Sequence, residues 1–371
     1  MQTGKPVPRI GALPAVRMNT IRHIEDKDAG LWDAYVQKHP HASVYHCWAF
    51  KRAVEKTYGH KTVYLAAFDD ARGEMTGALP LFLVSSPLFG KSAVSLGFCD
   101  YGGILYNDEA SGKLLYEKAV KLVDDLRFDV LELRQTYALP FCGTEENRAH
   151  KVRVSTEKVR MKLALPRKTD ELFSSFPGKL RSQIRKPQKD GCTIKSGGPE
   201  LLDDFYSVFV YNMRDLGSPV HSKKMMGNVL HFYGTRSRLF VVYKGQKPVA
   251  CSLAVGMGDA LVNPWASFDK RFRASAPNML LYWGMLEFAV QNGYASFDFG
   301  RSTKEEGTYR FKEQWGALPE PLYWYYRFRT KEKGLAAAGD AKRGLFIKLW
   351  QRVPLPVTAM LGPVIRKWIP L

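Results

Sequence analysis

One order of predicted elements occurs twice along the chain, and this repeat limits the fold more than any other feature. In the first half, strands at Thr62–Phe68 and Thr76–Val84 form a predicted hairpin, and a helix near Ser111–Leu126 leads to a strand at Phe128–Leu133. A glycine-rich segment, Ser95–Leu105, lies between the hairpin and the helix. Each unit needs its own core, and 371 residues with 45% hydrophobic content can supply two.

The second half follows the same order. Strands at Leu239–Tyr243 and Pro248–Val255 flank a polar turn, and a third strand is predicted at Ala260–Ser267. Residues Pro277–Gln291 form an almost wholly apolar helix, which indicates burial on all sides, and a strand follows at Ala295–Phe299. The sequence therefore predicts a duplicated α+β fold with mixed central sheets flanked by helices.

This order of elements resembles the N-acetyltransferase-like (GNAT) fold, present here in tandem. In that fold an acyl donor usually enters where two neighbouring strands separate. We place a first domain at residues 1–165, a second domain with the main site at residues 166–335, and a basic, apolar tail at residues 336–371.

The net charge is strongly positive, +19 from 55 basic and 36 acidic residues. Such a field attracts nucleic acid, anionic lipid or a diphosphate-bearing metabolite without selecting among them, and it also fits a merely basic enzyme. The five cysteines are scattered without a Cys-x-x-Cys pair, which suits a reducing compartment. No signal-peptide core and no run of roughly 20 apolar residues is found, so we expect a cytoplasmic protein.

The segment Phe297–Ser302 concentrates polar groups at the end of a predicted strand. Side chains alternate along a strand, so Asp298 and Gly300 face away from the core. Arg301 and Ser302 follow at the strand end, where α/β sheets bind their ligands. These residues are candidates for a site, and an Asp298–Arg301 contact that supports a turn would explain them equally well.

Aromatic and charged residues mix in Gly307–Gly316. Tyr309, Phe311 and Trp315 lie among charged residues that include Lys312. A solvated face would not need the rings, and a core strand would not carry the charges, so the mixture predicts a pocket wall with a lysine directed into it. A lysine in that position can stabilise the oxyanion of an acyl-transfer intermediate.

These motifs resemble the FemAB (FemABX) family, whose members add amino acids to peptidoglycan precursors. Tyr309–Lys312 is similar to the family's Tyr-x-Phe-Lys motif, and the resemblance implies that Lys312 is important for catalysis. The chain is further similar to FemAB-related proteins encoded beside exosortase and PEP-CTERM exopolysaccharide systems. This similarity covers about Trp32 to Trp324 and lies in the motifs Tyr45–Trp48, Gly77–Leu81, Leu180–Lys186, Asn212–Val220, Pro277–Trp283 and Phe297–Ser302.

A basic helix is predicted near the start of the second domain. The helical pattern covers Asp170–Arg185, and Lys186 precedes Pro187, which favours a helix end there. Arg181 and Arg185 lie four residues apart on one helical face. They suit a diphosphate, and the resemblance implies a nucleotide-linked or lipid-linked diphosphate acceptor, whereas a solvated basic face is the alternative.

A second helix is predicted to end in three polar residues, Asn212, Arg214 and Asp215. A helix stop needs only the nearby Gly217, so the additional polar groups favour a binding loop. The remaining candidates for the same cleft are Trp265, Asn278 and Tyr282. Packing alone would also explain each of these three.

The acyl donor is open between three classes of co-substrate. An acetyltransferase that uses CoA usually carries an Arg/Gln-x-x-Gly-x-Gly/Ala loop at a helix start, and this chain has only Arg-x-x-Gly-x-Pro at Arg214–Pro219. The departure favours aminoacyl-tRNA or a carrier-bound acyl group over acyl-CoA. The histidines show no metal-ligand spacing, so we expect neither a metal nor a bound cofactor.

The segment Gly344–Leu371 combines apolar residues, cations and two tryptophans, and its prolines exclude one long helix. Basic residues beside Trp350 and Trp368 suit a membrane interface, which would make the protein peripheral on the inner membrane. A tail folded back onto its own core is the alternative.

The sequence thus predicts transfer of an aminoacyl or acyl group to an amine of a cell-envelope or exopolysaccharide precursor. Lys312 would stabilise the oxyanion, and Asp298 would position or deprotonate the amine. The residues expected to bind anionic parts of the substrates are Arg181, Arg185, Arg214 and Arg301. Two rivals remain, an N-acyltransferase that uses acyl-CoA or an acyl carrier and a non-catalytic adaptor for membranes or nucleic acid.

Overall fold

Two β-sheets flanked by helices make up the computed structural model, which describes residues 19–87, 89–142, 152–329 and 340–370. The strands are β1 (Asn19–His23), β2 (Lys61–Asp69), β3 (Glu74–Ser86), β4 (Gly90–Val94), β5 (Leu105–Tyr106), β6 (Val130–Gln135), β7 (Val152–Ser155), β8 (Lys158–Ala164), β9 (Cys192–Gly197), β10 (Ser237–Lys244), β11 (Lys247–Met257), β12 (Ala260–Phe268), β13 (Ser296–Thr303), β14 (Leu318–Pro321) and β15 (Tyr323–Phe328). The α-helices are α1 (Ala29–Lys38), α2 (Trp48–Tyr58), α3 (Glu109–Asp125), α4 (Thr169–Ser175), α5 (Gly178–Lys189), α6 (Leu202–Asp215), α7 (Lys223–Tyr233), α8 (Pro277–Gln291), α9 (Gly307–Glu313), α10 (Asp340–Arg352) and α11 (Leu355–Arg366).

The two sheets share one plan, which confirms the predicted duplication. The first sheet has the order β1-β2-β3-β4-β6-β15-β7, with β5 paired to β3, and the second has the order β14-β8-β13-β12-β11-β10-β9. In each sheet a meander of antiparallel strands is followed by a helix and then by a strand that returns parallel. The parallel pairs are β4 with β6 and β12 with β13.

Both parallel pairs are short and then diverge. Val94 pairs with Glu132 as the last residues of the β4–β6 ladder, and Val262 pairs with Asp298 as the last residues of the β12–β13 ladder. Beyond these pairs the strands separate at their carboxyl ends. Asp298 therefore occupies the position in the second sheet that Glu132 occupies in the first.

Sheet membership does not coincide with the predicted boundary between residues 165 and 166. Strand β8 precedes that boundary and belongs to the second sheet, whereas β15 lies within the predicted second domain and pairs with β6 and β7 of the first sheet. Hydrogen-bond partners decide which sheet takes a strand, and such partners can be far away along the chain. Each sheet therefore includes a strand from the other predicted domain, and backbone hydrogen bonds connect the two halves.

Two helix predictions near the start of the second sheet need correction. The predicted helix Asp170–Arg185 is broken into α4 and α5, because Pro177 is extended and serves as the N-cap of α5. Helix α5 also continues past Lys186 and includes Pro187. A proline in the last turn removes one backbone hydrogen bond from a helix that is about to end, and the ring of Pro187 is buried.

The segment Gly307–Glu313, for which the sequence predicted a pocket wall, folds as the short helix α9. Lys312 is the buried side chain of this helix, and Trp315 just after it is fully buried. The aromatic rings therefore pack into the core of the second sheet, and the charges of Arg310 and Glu313 face solvent.

The largest hydrophobic core lies between the halves. It contains Trp32 and Phe82 from the first half together with Phe205 and Phe209 from the second. The hydroxyl of Tyr233 on α7 also donates to the carbonyl oxygen of Val44 at 2.6 Å. The two sheets thus share buried surface, and we expect them to unfold together.

The C-terminal tail is helical and packs on both halves, as the folded-back alternative predicted. Pro354 is the N-cap of α11 and separates it from α10, whereas Pro356 and Pro363 lie within α11. Trp350 and Ile369 are buried, and the amide of Phe98 donates to the carbonyl oxygen of Pro370 at 3.0 Å. Some apolar side chains of the tail nevertheless stay exposed.

Replacing Phe209 by alanine should lower the free energy of unfolding by about 3–5 kcal/mol, since it leaves a cavity in the shared core. The loss should appear as one cooperative transition in thermal or urea denaturation. Leu126→Ala removes a side chain that is 45% exposed and is the control, with an expected change within about 0.5 kcal/mol. Two separate transitions in the Phe209 variant would contradict a shared core.

Candidate active site

The strand end after Asp298 has a distorted backbone that opens the sheet. Gly300 has a φ of 76°, and the pairing of β13 with β8 shifts register between Asp298 and Arg301. The carboxylate of Asp298 accepts from the amide of Gly300 at 2.7 Å and so fixes this turn. We call Gly300–Ser302 the β13 exit, because β12 has separated from β13 at this level.

The ammonium group of Lys312 lies buried against the β13 exit. Its Nζ donates to the carbonyl oxygen of Gly300 at 3.1 Å and to that of Arg301 at 2.7 Å, and the residue is 7% exposed. Burial lowers the pKa of Lys312 to about 8, and the carboxylates of Asp100 and Asp298 oppose that effect. The side chain is thus a desolvated cation at a strand end, away from bulk water.

Asp298 is fully engaged with neighbouring donors. The hydroxyl of Tyr101 donates to its carboxylate, and the guanidinium of Arg160 lies 3.8 Å from the same oxygen. Burial raises the pKa of Asp298 above its ordinary value, although Arg160 and the hydrogen bonds act in the opposite direction. A carboxylate held in this way is suited to fixing the β13 exit, and its predicted role as a base for the amine stays a prediction.

The glycine-rich segment of the first half reaches into the second. The carboxylate of Asp100 accepts from the backbone amide of Arg301 at 3.2 Å and lies 3.4 Å from its Nε. The indole of Trp324 lies 5.0 Å from the Arg301 guanidinium and 4.7 Å from that of Arg134. Arg301 is therefore held by an ion pair from the glycine-rich segment and by an aromatic face from β15.

A cavity of about 120 Å³ opens beside Arg301 between the halves. Its lining combines rings, cations and one carboxylate, and it consists of Tyr45, Phe98, Cys99, Asp100, Met213, His221, Pro264, Trp265, Arg301 and Arg366. Both halves and helix α11 contribute to this wall. The main site was expected in the second domain, and that placement stays a prediction; the cavity itself lies between the halves, and contacts between domains leave no periodic signal in a sequence.

One wall of the cavity is a chain of hydrogen bonds. The Nε of Arg366 donates to Nε2 of His221 at 3.1 Å, and Nδ1 of His221 lies 2.6 Å from the hydroxyl of Tyr58. Burial, with the charge of Arg366, holds the pKa of His221 well below its ordinary value, so the imidazole is neutral. Since Nε2 accepts a hydrogen bond from Arg366, Nδ1 carries the ring proton and donates a hydrogen bond to the hydroxyl of Tyr58.

The structure brings several predicted residues together. Arg301 and Trp265 line the cavity, and Lys312 and Asp298 support the β13 exit beside it. Ser302 is buried in the same exit, where its hydroxyl has no hydrogen-bond partner among the described residues.

Two further predicted residues have structural partners. Tyr282 is buried and stacks on Phe299 with ring centroids 5.5 Å apart. Asn212 is also buried and donates to the hydroxyl of Ser267 at 3.0 Å, which joins α6 to β12. These contacts favour the packing explanation that the sequence left open for Tyr282.

The other predicted residues do not line this cavity. Arg185 is exposed and stacks over Phe173, and Arg214 pairs with Asp215 at 2.9 Å. The remaining predicted residues outside the lining are Arg181, Asn278 and Tyr309, each partly exposed. A binding role for these side chains therefore stays a prediction and would require a substrate that extends beyond the cavity.

Sequence reasoning missed four residues that shape the site, Asp100, Tyr101, His221 and Arg366. The glycine-rich segment was noted without a role for its acidic and aromatic members. His221 follows directly after the Asn212–Val220 motif, and Arg366 is one of several cations in the tail, next to Lys367. Each carried a local signal, but their meeting depends on how the halves pack.

A second, open groove of about 640 Å³ lies on the edge of the second sheet. It is lined by the segments Leu163–Pro166, Glu171–Leu172, Ser175–Pro177 and Glu313–Gly316. Lys312 is not part of this lining.

Substituting Gly300 by alanine should destabilise the protein by about 1–3 kcal/mol, because the left-handed backbone disfavours a side chain. A Cβ there would also lie 3.2 Å from the carboxylate of Asp100. Gly307→Ala is the control, since a Cβ at Gly307 meets no atom within 4 Å. Equal melting temperatures of the two variants in thermal denaturation would contradict the strained exit.

Comparison with known proteins agrees with this architecture. Residues 174–313 match the family model of the acetyltransferase (GNAT) domain. No curated protein sequence matches the chain significantly. The crystal structure of FemX superposes with a TM-score of 0.64 at 15% identity, over 82% of this chain and 96% of the FemX chain.

Two more solved structures have the same fold. The C-terminal domain of a putative lysylphosphatidylglycerol synthetase from Agrobacterium fabrum has a TM-score of 0.53 at 12% identity, over 87% of this chain and 95% of that domain. A tandem GNAT protein from the clavulanic acid biosynthesis pathway has a TM-score of 0.54 at 11% identity, over 85% of this chain and all of its own. The chain thus has a tandem GNAT fold with a GNAT-type acetyltransferase domain in its second half, and it is an acyltransferase.

Proposed function

We propose that this chain transfers an aminoacyl or acyl group to an amine on a phosphate-bearing precursor of the cell envelope or of an exopolysaccharide. The observation that carries the proposal is the buried ammonium of Lys312 at the β13 exit, where two parallel strands have separated. In the GNAT fold this separation admits the acyl donor. The solved structures of FemX and of the lysylphosphatidylglycerol synthetase domain support the same class of chemistry.

The chemistry requires stabilisation of negative charge on a carbonyl oxygen. The acceptor amine attacks the donor carbonyl, a C–N bond forms, and the C–O or C–S bond to the tRNA or thiol carrier breaks. The ammonium group of Lys312 has three N–H donors. Two of them donate to carbonyl oxygens of the β13 exit. The third is available to the oxyanion, and the amine proton leaves to the departing oxygen or sulfur or to water.

The cavity supports an acceptor that carries a compact anion. Its volume of about 120 Å³ admits a small group such as a phosphate, and its wall includes the guanidinium groups of Arg301 and Arg366. Asp100 orients Arg301 by accepting a hydrogen bond from its backbone amide and by forming an ion pair with its side chain. Arginine geometry matches phosphate oxygens well, so a diphosphate-linked saccharide or peptide fits this wall.

A donor with phosphate groups also has a basic surface available. The segment before α8 contains Lys270, Arg271 and Arg273, all exposed. Arg271 is paired with Asp269 at 2.6 Å. Lys270 and Arg273, which precede α8 in the sequence, are the cations proposed to contact the donor phosphates. This surface and the GNAT-domain match favour acyl-CoA as the second candidate donor, beside aminoacyl-tRNA.

Changing Lys312 to methionine should lower the turnover number by about 10²–10³, because one oxyanion donor is lost. Turnover is measured by mass spectrometry of the acceptor after incubation with an aminoacyl-tRNA or acyl-CoA donor, and circular dichroism checks the fold. Lys304→Met, at an exposed lysine eight positions earlier, is the matched control and should keep wild-type turnover. Unchanged turnover in a folded Lys312→Met variant would overturn the assignment.

The wild-type rate should fall as pH rises through about 8, since the pKa of Lys312 is about 8 and its charged form is the one required. Below that pH the ammonium keeps its proton and the rate should not depend on this group. Lys312→Arg keeps its charge at every accessible pH, so its residual activity should lose this alkaline limb. An identical limb in the arginine variant would assign the titration to another group.

One experiment distinguishes aminoacyl-tRNA from acyl-CoA as the donor. A cell-envelope or exopolysaccharide precursor from cells with and without the protein should differ by the mass of one transferred group. Purified protein then receives either charged tRNA or acyl-CoA with that precursor, and we expect transfer from the tRNA. Transfer from acyl-CoA alone would establish the second candidate.

A further inference from the structure

The two C-terminal helices leave an apolar surface uncovered on the outside of the protein. Met360 and Val364 are 68% and 61% exposed, and Leu349 is 56% exposed. We call this surface the tail apolar face and define it as Phe346, Leu349, Val357, Met360, Leu361 and Val364. Isolated exposed hydrophobic residues are common, but six of them on two consecutive helices are typical of a binding surface.

Helix α11 is amphipathic in the described structure. Its exposed members follow the spacing i, i+3, i+4, i+7 from Val357, so they form one stripe. The other side packs on the protein, where Thr358 is buried and a Cβ on Gly362 would lie 2.8 Å from a methyl group of Val220. Arg366 lies nine residues after Val357, which is about two and a half helical turns and therefore the opposite side of the helix. On that inner side it lines the cavity.

The charges around the tail apolar face are positive. No acidic residue follows Asp340 in the sequence, while Lys348 and Arg352 are exposed on α10. Asp215, the last residue of the neighbouring helix α6, is paired with Arg214. An apolar stripe with a cationic border is complementary to a bilayer that contains anionic lipid.

We propose that α10 and α11 dock this protein on an anionic bilayer, with the tail apolar face inserted among the lipid headgroups. The helices have 13 and 12 residues, fewer than the roughly 20 needed to cross a bilayer. In the described part of the chain no helix combines the length and hydropathy of a membrane span. The helices therefore lie in the interface, and Arg366 faces the cavity from the same helix that contacts lipid.

Docking of this kind would bring a lipid-linked acceptor to the cavity from the membrane side. This proposal deepens the proposed function by naming where the acceptor is held, but membrane docking does not depend on the acyl-transfer reaction. Vesicle binding is measured without any donor or transfer. A failure of docking and a failure of acyl transfer are therefore separate results.

The experiment is co-sedimentation of the full chain with vesicles of phosphatidylcholine, with or without phosphatidylglycerol. The wild type should bind the vesicles that contain phosphatidylglycerol. Met360→Gln with Val364→Gln changes no charge and should weaken that binding by at least about tenfold, because two inserted side chains are lost. Lys348→Gln with Arg352→Gln should weaken it by about fivefold per charge and remove the preference for phosphatidylglycerol.

The matched control is Leu31→Gln with Leu126→Gln, two exposed leucines outside the tail that are 48% and 45% exposed. This variant should bind vesicles like the wild type. Absence of wild-type binding, or equal binding by the Met360 and Val364 variant, would overturn the proposal. So would self-association of the wild type in sedimentation equilibrium that this variant abolishes without vesicle binding, since a second copy would then cover the face.

Discussion

The buried ammonium of Lys312 is the interaction on which the arrangement of the site depends. A cation taken out of water is costly unless it is compensated, and here two strand-end carbonyls bind it while Asp100 and Asp298 lower the cost. The same two carboxylates hold the β13 exit, one through the amide of Gly300 and the other through Arg301. Because Asp100 belongs to the first half, this compensation requires both halves to be in place.

The duplicated plan has different outcomes in the two sheets. In the first, the strands diverge after Glu132, but the chain closes the gap with its own backbone, since Ser95 donates to Glu132 and Gly102 donates to Arg134, each at 2.8 Å. In the second, the corresponding divergence after Asp298 leads to the cavity. The glycine-rich segment that fills the first opening presents Asp100 to the second, so one half serves as support and the other contains the candidate site.

The tail connects this site with the surface. Helix α11 directs Arg366 towards the cavity and Met360 towards solvent, and residues near its end bind the first half, where His60 pairs with the carbonyl oxygen of Lys367 at 2.7 Å. A change in the position of the helix would therefore move a cavity residue. Such coupling would follow because Arg366 and Met360 lie on one helix.

Much of the fold, and several residues of the candidate site, could be predicted from the sequence alone. The order of strands and helices, the apolar run of α8 and the polar groups of Phe297–Ser302 are local patterns, and local patterns follow from backbone geometry and side-chain burial. Tertiary structure decided what periodicity does not encode: the placement of β15 in the first sheet, the helix at Gly307–Glu313, and the meeting of Asp100, His221 and Arg366 around one cavity. The physical reason is that hydrogen-bond partners and compensating charges come from segments that are far apart in the chain, and the sequence of any one segment does not specify them.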